Sequence, residues 1–575
     1  MDYITLKDII NNGDFSSALD LLQEIPTDSW NEETAILAAS AYYAAKDYAQ
    51  MFTSIQKGLL FNHKSYELYL LLGNYYEHLN ADQAYLCYEN AQYYCTDPDD
   101  LKIILNFKEA LIANFPLKVH PVSIILLTYN VKDLTIQCIE SIRHTLLPDS
   151  YELICVDNAS TDGIREWLIS QNDIKLICNE TNIGFPAGCN AGIKIAAPDN
   201  DILLLNNDTL LTPNAIFWLR MGLYESERTG AAGSVSNIDF DDQTFSENNY
   251  SLDEYMTYAI RHNIPAQNPY EIKIYLLGFA LLIKRHAMDN IGLLDIRFSP
   301  GTFEDNDYGM RLQAAGFQCR LCHNSFIIHY GSGNGSNNNN WCRTGQRNNA
   351  LFIEKYGFDL LHYIHPEPEL IDMISHESND IFSILEIGCG CGATLSKIKY
   401  LYPYADIHGI EASPLLASIG ANNHDIICDN IENKRLDYAY EKFDYIILNN
   451  VLAHIHNPSE ILAYLSRFLK PCGKFLCSFP NIMHISVIFP LLKGKFDYQE
   501  SGILSRKHIR FYTLTSITAM FGSYNLTTAK CQYSSDTLLS KEDTDLLEKL
   551  QKISGIADKK QFLALQYFIC AEKKH

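Results

Sequence analysis

Near residue 118 the hydrophobic pattern of this 575-residue chain changes period, and no other feature narrows its possible folds as much. Before that point small and apolar residues recur at i, i+4 and i+7, one face of a helix, with no convincing strand. After it, Val122-Ser-Ile-Ile-Leu-Leu-Thr forms a continuous β-branched run that stops at Tyr129-Asn130. A helical stretch follows from about 132 to 145, and a second run opens at Glu152-Leu-Ile-Cys-Val-Asp. Strands apolar on both faces and separated by helices belong to a parallel, doubly wound sheet. A third cycle starts at Phe382-Ser-Ile-Leu-Glu-Ile, after an aperiodic stretch from Leu361 to Asp380 that reads as a joint. At roughly 150 residues per domain the length calls for three to four units. The pattern gives three: all-α over 1–115, α/β over 118–365 and α/β over 366–575.

The first unit repeats itself. Ala18, Met51 and Ala84 lie 33 residues apart, as do Leu22, Ile55 and Tyr88, while Tyr42-Tyr43 recurs as Tyr75-Tyr76. Asn12-Gly-Asp and Lys46-Asp punctuate the turns. With Leu71-Leu-Gly-Asn-Tyr-Tyr followed by Ala84, Tyr88, Ala91 and Pro98, this resembles the tetratricopeptide repeat, whose usual period is about 34. Stacked helix pairs of that kind offer a concave surface for a protein partner and carry no chemistry. A formal charge of −24 repels polyanions and anionic lipid on average, so nucleic acid is a poor partner, though a small anionic ligand needs only local donors. Sixteen cysteines follow no framework spacing, and Cys319 and Cys322 read as packing within a strand. The N-terminus has no basic and apolar leader, and no apolar run approaches the ~20 residues that cross a bilayer. The expectation is a cytoplasmic protein without an integral membrane segment.

In an open parallel sheet ligands bind beyond the carboxyl ends of the strands. In the second unit those ends carry Thr128-Tyr129-Asn130, Asp157-Asn-Ala-Ser-Thr-Asp162 and Asn206-Asn207-Asp208. Further on come Asn182-x-Gly-Phe-x-x-Gly-x-Asn190, Phe303-Glu304-Asp305-Asn306-Asp307 with Arg311, and a late His329. In that order these motifs resemble a family 2 glycosyltransferase of the GT-A nucleotide-sugar fold, closest to its rhamnosyltransferase-like branch. The resemblance implies a nucleotide-sugar donor held by Thr128, Asn130, Asp157 and Asn207, with Asp208 and His329 on a divalent cation, Mn²⁺ or Mg²⁺. It also makes Asp305 the base that takes the acceptor hydroxyl proton, with Glu304 as its acceptor-binding neighbour and inversion at the anomeric carbon. The chemistry suits these residues, because oxygen ligands hold the cation that neutralises a departing diphosphate and a weak hydroxyl nucleophile needs a carboxylate base. Asn206 stands where the family carries an acid. The Gly331-Ser-Gly-Asn-Gly-Ser-Asn-Asn-Asn-Asn run reads as a lid over the donor.

In the third unit Leu385-Glu386-Ile-Gly388-Cys-Gly390-Cys-Gly392 follows a strand and opens a helix, with glycines at every second position rather than the spacing of dinucleotide sites. Glu411 ends the next strand 25 residues after Glu386, and Asp429 follows the third. This resembles a Rossmann-like class I methyltransferase. The resemblance implies S-adenosyl-L-methionine held by Glu386, Gly388, Gly390, Gly392, Glu411 and Asp429. His454 is the candidate base, with His484, His508 and Arg510 as other residues that meet the acceptor; Ala453 stands where that family shows Glu. Together the units read as a bifunctional transferase that adds a sugar to a glycan or glycoprotein and O-methylates it, in cell-surface polysaccharide or glycoprotein synthesis. Asn206 and Ala453 leave open a repeat-based scaffold with one or both transferase units inactive, or a chain active only in methyl transfer.

Overall fold

The protein is described here by a computed structural model covering residues 3–238, 243–244, 250–331, 339–360, 363–534, 539 and 541–573. The proposed lid at 331–340 falls largely outside the described residues. Contacts divide the chain into two compact units, Met1–Asp359 and Leu360–His575.

Seven helices open the first unit: α1 Tyr3–Asn11, α2 Phe15–Glu24, α3 Glu32–Ala44, α4 Tyr48–Phe61, α5 Tyr66–Tyr76, α6 Ala81–Tyr94 and α7 Pro98–Asn114. The 33-residue step is written in their starts. Asp14, Asp47 and Asn80 each accept the backbone N–H three residues on, capping α2, α4 and α6. Within the helix pairs glycine permits close approach: a Cβ on Gly58 would lie 2.5 Å from Leu68, and one on Gly73 would lie 2.1 Å from the Tyr88 ring. A helical N-terminal region is therefore present.

The same unit continues into a nine-stranded mixed sheet built from β1 Val122–Thr128, β2 Tyr151–Asp157, β3 Ile174–Cys178, β4 Asp201–Asn206, β5 Thr209–Leu210, β6 Thr229–Ser236, β7 Tyr270–Lys273, β8 Ala280–Ile283 and β9 Gln318–His329. Its order is β3-β2-β1-β4-β8-β6-β9-β5, with β7 also on β9. The chain winds from β1 to β2 and β3 in one direction, and β4 lies on the other side of β1, so the order reverses between β1 and β4. That is where a ligand crevice forms in such sheets. Cys319 and Cys322 are buried in β9 with free thiols, which burial pushes up, to about 12 for Cys319.

The helices do not stand apart from this sheet. Helix Ala215–Leu223 is buried along its whole length, and α5 and α6 form part of its cover. The Tyr69 ring meets Phe217 edge-on at 5.4 Å, Gln83 donates to the Met221 carbonyl at 2.9 Å, and Tyr94 donates to Asn214 at 2.9 Å. A buried ion pair joins Glu89 to Arg220. Leu72 and Cys87 of the helices and Ile124 and Leu126 of β1 thus share one core.

The second unit is a seven-stranded sheet of β10 Ser383–Ile387, β11 Asp406–Glu411, β12 Asp425–Cys428, β13 Phe443–Asn449, β14 Leu469–Pro480, β15 Leu526–Tyr533 and β16 Gln566–Lys573, in the order β12-β11-β10-β13-β14-β16-β15. It is parallel except for β16, which runs against both neighbours. Here the winding reverses between β10 and β13. The aperiodic stretch before β10 is packed: Leu370, Ile371, Met373 and Ile374 join the core with Ile384 and Tyr445.

Candidate active sites

At the β1/β4 reversal the strand tips are joined by their own side chains. The Asp157 carboxylate is fully buried and accepts from the Thr128 hydroxyl at 3.3 Å, the Ser160 N–H at 3.2 Å and the Arg165 Nε at 2.7 Å. Asn130, in left-handed backbone, orders the same turn by accepting from the Thr161 N–H at 2.9 Å. Asn207 is turned away, its amide donating to Thr135 on helix Lys132–Thr145 at 2.8 Å.

Asp208 and His329 are brought together because β5 pairs with the end of β9, Thr209 opposite His329. Their Oδ1 and Nε2 lie 3.2 Å apart, and the Asn206 amide stands 3.3 Å from the same nitrogen. The Asp208 carboxylate and the His329 imidazole are donor types that fit a divalent cation, and Asn206, its Nδ2 turned to the same imidazole, is neutral where an acid would add charge. Among the described residues no group of three or more His, Cys, Asp and Glu is placed to hold a metal.

Asp305 is linked to these residues through the Gly278-Phe279 peptide. Its Oδ2 accepts from the Gly278 N–H at 3.2 Å, and the next residue, Phe279, stacks on the His329 ring at 5.3 Å and accepts the Asn206 N–H at 2.8 Å. Thr302 and Phe303 adopt left-handed backbone before helix Glu304–Ala314 and set the direction of its first turn. Asp305 is half-buried, whereas Glu304 is buried, its Oε2 with no hydrogen-bond partner. Burial and the neighbouring Asp305 charge push the Glu304 carboxyl well above the ordinary range. Asp307 serves the fold: it is fully buried between Arg311 at 2.9 Å, Lys355 and the Tyr356 hydroxyl. The Asn182–Asn190 motif positions this region. Asn190 exchanges two hydrogen bonds with Leu294, at 2.8 and 3.0 Å, and Phe185 donates to the Pro300 carbonyl at 2.7 Å.

At the β10/β13 reversal Gly388, Gly390 and Gly392 all have positive φ and lead into helix Ala393–Leu401. Glu411 is buried against that turn, accepting the Gly390 N–H at 2.9 Å and the Ser413 N–H at 2.7 Å. Glu386 is buried with Oε2 lacking a hydrogen-bond partner, and burial raises its carboxyl to about 8. A carboxyl group with one unpartnered oxygen beside a left-handed glycine turn fits a polar cofactor whose hydroxyls and ammonium group can hydrogen-bond to it. Asp429 is half-buried, with one oxygen held by the Asn430 N–H and the Asn433 amide. A Cβ on Gly390 would lie 2.8 Å from the Tyr363 ring, so the segment before β10 reaches this turn.

The histidines separate into two groups. His454 and His508 stand side by side, ring centroids 4.9 Å apart, with each Nδ1 on a backbone carbonyl: Lys507 at 3.0 Å and Ile503 at 2.9 Å. A carbonyl only accepts, so Nδ1 carries the proton and a neutral ring keeps its lone pair on Nε2. Desolvation, with His508 and Lys507 beside it, holds His454 below the ordinary imidazole value. His484 is instead a buried cap for helix Ile485–Leu492, its Nδ1 accepting the Ser486 N–H at 3.1 Å, and it does not join the pair. Arg510 donates to the His456 carbonyl at 2.6 Å.

Residues 123–292 match the model of glycosyl transferase family 2, and residues 342–530 match that of a methyltransferase domain. The chain carries a glycosyltransferase domain and a methyltransferase domain. Over 158 residues it is 23% identical to a mitochondrial ubiquinone biosynthesis O-methyltransferase of Dictyostelium discoideum, covering 25% of this chain and 49% of that one. Over 101 residues it is 32% identical to a poly(ribitol-phosphate) beta-glucosyltransferase of Bacillus spizizenii, covering 16% of each chain. A mannosyltransferase of Pyrobaculum calidifontis, solved with GDP-Man and Mn²⁺, aligns with a TM-score of 0.29 and 16% identity, over 44% of this chain and 70% of its own. The chain spans less than half the length of the first curated relatives it matches. No described helix is long and apolar enough to cross a membrane.

Several residues of these two domains escape sequence reasoning. In the glycosyltransferase domain Arg165, eight residues after Asp157, shares its carboxylate, and the Gly278-Phe279 peptide links Asp305 to His329. In the methyltransferase domain Glu367 is raised to about 7 by burial and by Glu369. None of them lies in a recognisable motif.

Proposed function

We propose that this chain is a bifunctional transferase with tetratricopeptide-like repeats over 1–115, a GT-A glycosyltransferase over 118–365 and a Rossmann-like class I methyltransferase over 366–575, working in the cytoplasm. The first activity is inverting transfer of a sugar from a nucleotide-sugar to a glycan or glycoprotein in cell-surface polysaccharide or glycoprotein synthesis. The observation that carries it is the linkage of Asp208, His329 and Asp305 through Asn206 and the Gly278-Phe279 peptide. Asp305, half-buried and held by two backbone N–H groups, accepts the acceptor hydroxyl proton as that oxygen forms its bond to the anomeric carbon and the bond to the diphosphate breaks. Asp208 and His329 would hold Mn²⁺ or Mg²⁺, whose contribution is to neutralise charge on the departing diphosphate. Asp157, holding three protein donors, orders the nucleotide end of the crevice together with Thr128 and Asn130.

The second activity is O-methylation with S-adenosyl-L-methionine. Glu411, Glu386 and the turn from Gly388 to Gly392 would hold the donor, and the methyl group it supplies is electrophilic. Nε2 of His454 would take the proton of the acceptor hydroxyl, so that the oxygen could bond to the methyl carbon as the carbon–sulfur bond breaks and the thioether S-adenosyl-L-homocysteine leaves. Calorimetry with S-adenosyl-L-methionine, and with UDP-, GDP- and dTDP-sugars with and without Mn²⁺, tests both halves. One nucleotide-sugar should bind with Mn²⁺ dependence that Asp208→Asn abolishes; heat from none of them refutes the first half, and silence with S-adenosyl-L-methionine refutes the second.

A further inference from the structure

Helix Ile485–Leu492 buries Ile485, Val487 and Phe489, then delivers the chain into ten consecutive exposed residues, 491–500. Four of them are large and apolar: Leu491, Leu492, Phe496 and Tyr498, with Leu492 61% exposed and Phe496 40%. Ile509 adds a fifth nearby in sequence. The segment is built rather than loose. Lys493 and Lys495 both donate to the Pro490 carbonyl, at 2.9 and 3.0 Å, and Gly494 takes a positive φ to close the turn. Gln499 and Arg506 then form a tight return, the rings of Phe496, Tyr498 and Phe511 stand 5.6 to 6.3 Å apart, and Ile503 and Leu504 pack on Val487 beneath.

The charge here runs against that of the whole chain. Residues 491–510 hold five cations, Lys493, Lys495, Arg506, Lys507 and Arg510, against Asp497 and Glu500, in a protein of formal charge −24. At physiological salt a charge is felt over about 8 Å, so an approaching surface meets this local field before the average one. Exposed Leu, Phe and Tyr interleaved with Lys and Arg match the boundary between acyl chains and anionic headgroups, where aromatic rings settle and basic residues add attraction.

We propose that residues 491–510 form a docking surface for an anionic lipid bilayer. The position gives it a purpose. Ile509 and Arg510 donate to the Ala453 carbonyl, and the His508 ring stands beside that of His454 at 4.9 Å, so the lipid surface would adjoin the imidazole pair and present an acceptor hydroxyl there. The proposal does not depend on methyl transfer, because lipid binding is measured without a methyl donor.

Full-length protein is sedimented with phosphatidylcholine vesicles, with and without phosphatidylglycerol, at about 0.1 M and about 1 M salt, where the Debye length falls from about 10 to about 3 Å. Binding is expected only with phosphatidylglycerol and should fade at high salt. Lys493→Ala with Lys495→Ala should weaken it about 25-fold, at about fivefold for each basic residue. Leu491→Ser with Leu492→Ser and Phe496→Ser should weaken it at least 10-fold, with an unchanged unfolding midpoint as the control for folding. No binding to either vesicle, equal binding to both, or binding indifferent to these substitutions overturns the proposal. So does a concentration-dependent dimer that the Leu and Phe substitutions dissolve, which would assign the face to a second copy.

Discussion

At the residue scale, the carboxylates of the two crevices are told apart by burial. Glu304 and Asp305 are adjacent, yet Glu304 is buried and driven toward its neutral form, while Asp305 is half-exposed and holds two backbone N–H groups. Asp305→Asn should therefore cost about 10²–10⁴ in sugar transfer, the usual worth of a positioned base. Glu304→Gln, isosteric with the protonated acid, should stay within about tenfold of the parent rate in the same assay. Glu386 makes a second case. Its carboxyl lies near 8 in the fold against an ordinary 4.5, so between those values the unfolded chain binds fewer protons than the native one and stability falls as pH rises. Thermal unfolding from pH 5 to 8.5, following the transition that S-adenosyl-L-methionine shifts, should show Glu386→Gln gaining several degrees over wild type at the alkaline end and little at the acid end. The residue types were legible in the sequence. Which acid of a pair is buried was not, because desolvation depends on what the rest of the chain places around it.

At the scale of elements, the Asn190 motif is a clasp. Asn190 is buried on helix Phe185–Ile195 and exchanges two hydrogen bonds with Leu294, ahead of the loop that leads to Asp305. Asn190→Ala strands both Leu294 backbone groups, so unfolding of the first unit should come earlier by about 1–3 kcal/mol. Sugar transfer should fall more in kcat than in KM, because the base loses its position while donor contacts on β1 and β4 persist. Strand tips, helix starts and the glycine turn were readable from period and capping residues. The pairing of β5 with β9, which sets His329 against Asp208, was not, since a two-residue strand carries no periodic signal.

At the scale of the whole molecule, the helices are part of the support of the first sheet. Glu89 and Arg220 form their buried ion pair across that junction. Glu89→Ala leaves a buried guanidinium without its carboxylate and should lower stability by about 3–5 kcal/mol, whereas Glu89→Leu with Arg220→Met should recover most of the loss. Chemical denaturation of the full chain measures both. Removing residues 1–117 would uncover Phe217 and Met221 and should yield an aggregating glycosyltransferase domain, readable by light scattering; a stable monomer would refute the supporting role. Hydrophobic period, capping residues and motif spacing determined from the sequence alone that this chain holds a helical array and two wound sheets with acids and glycines at their strand tips, because each of those signals is local. Only the tertiary structure decided that the helices share the first core, that His454 pairs with His508 while His484 caps a helix, and that the apolar side chains of Leu491, Leu492, Phe496 and Tyr498 stay exposed. Those outcomes rest on burial and on contacts between residues far apart in sequence, and no local pattern encodes either.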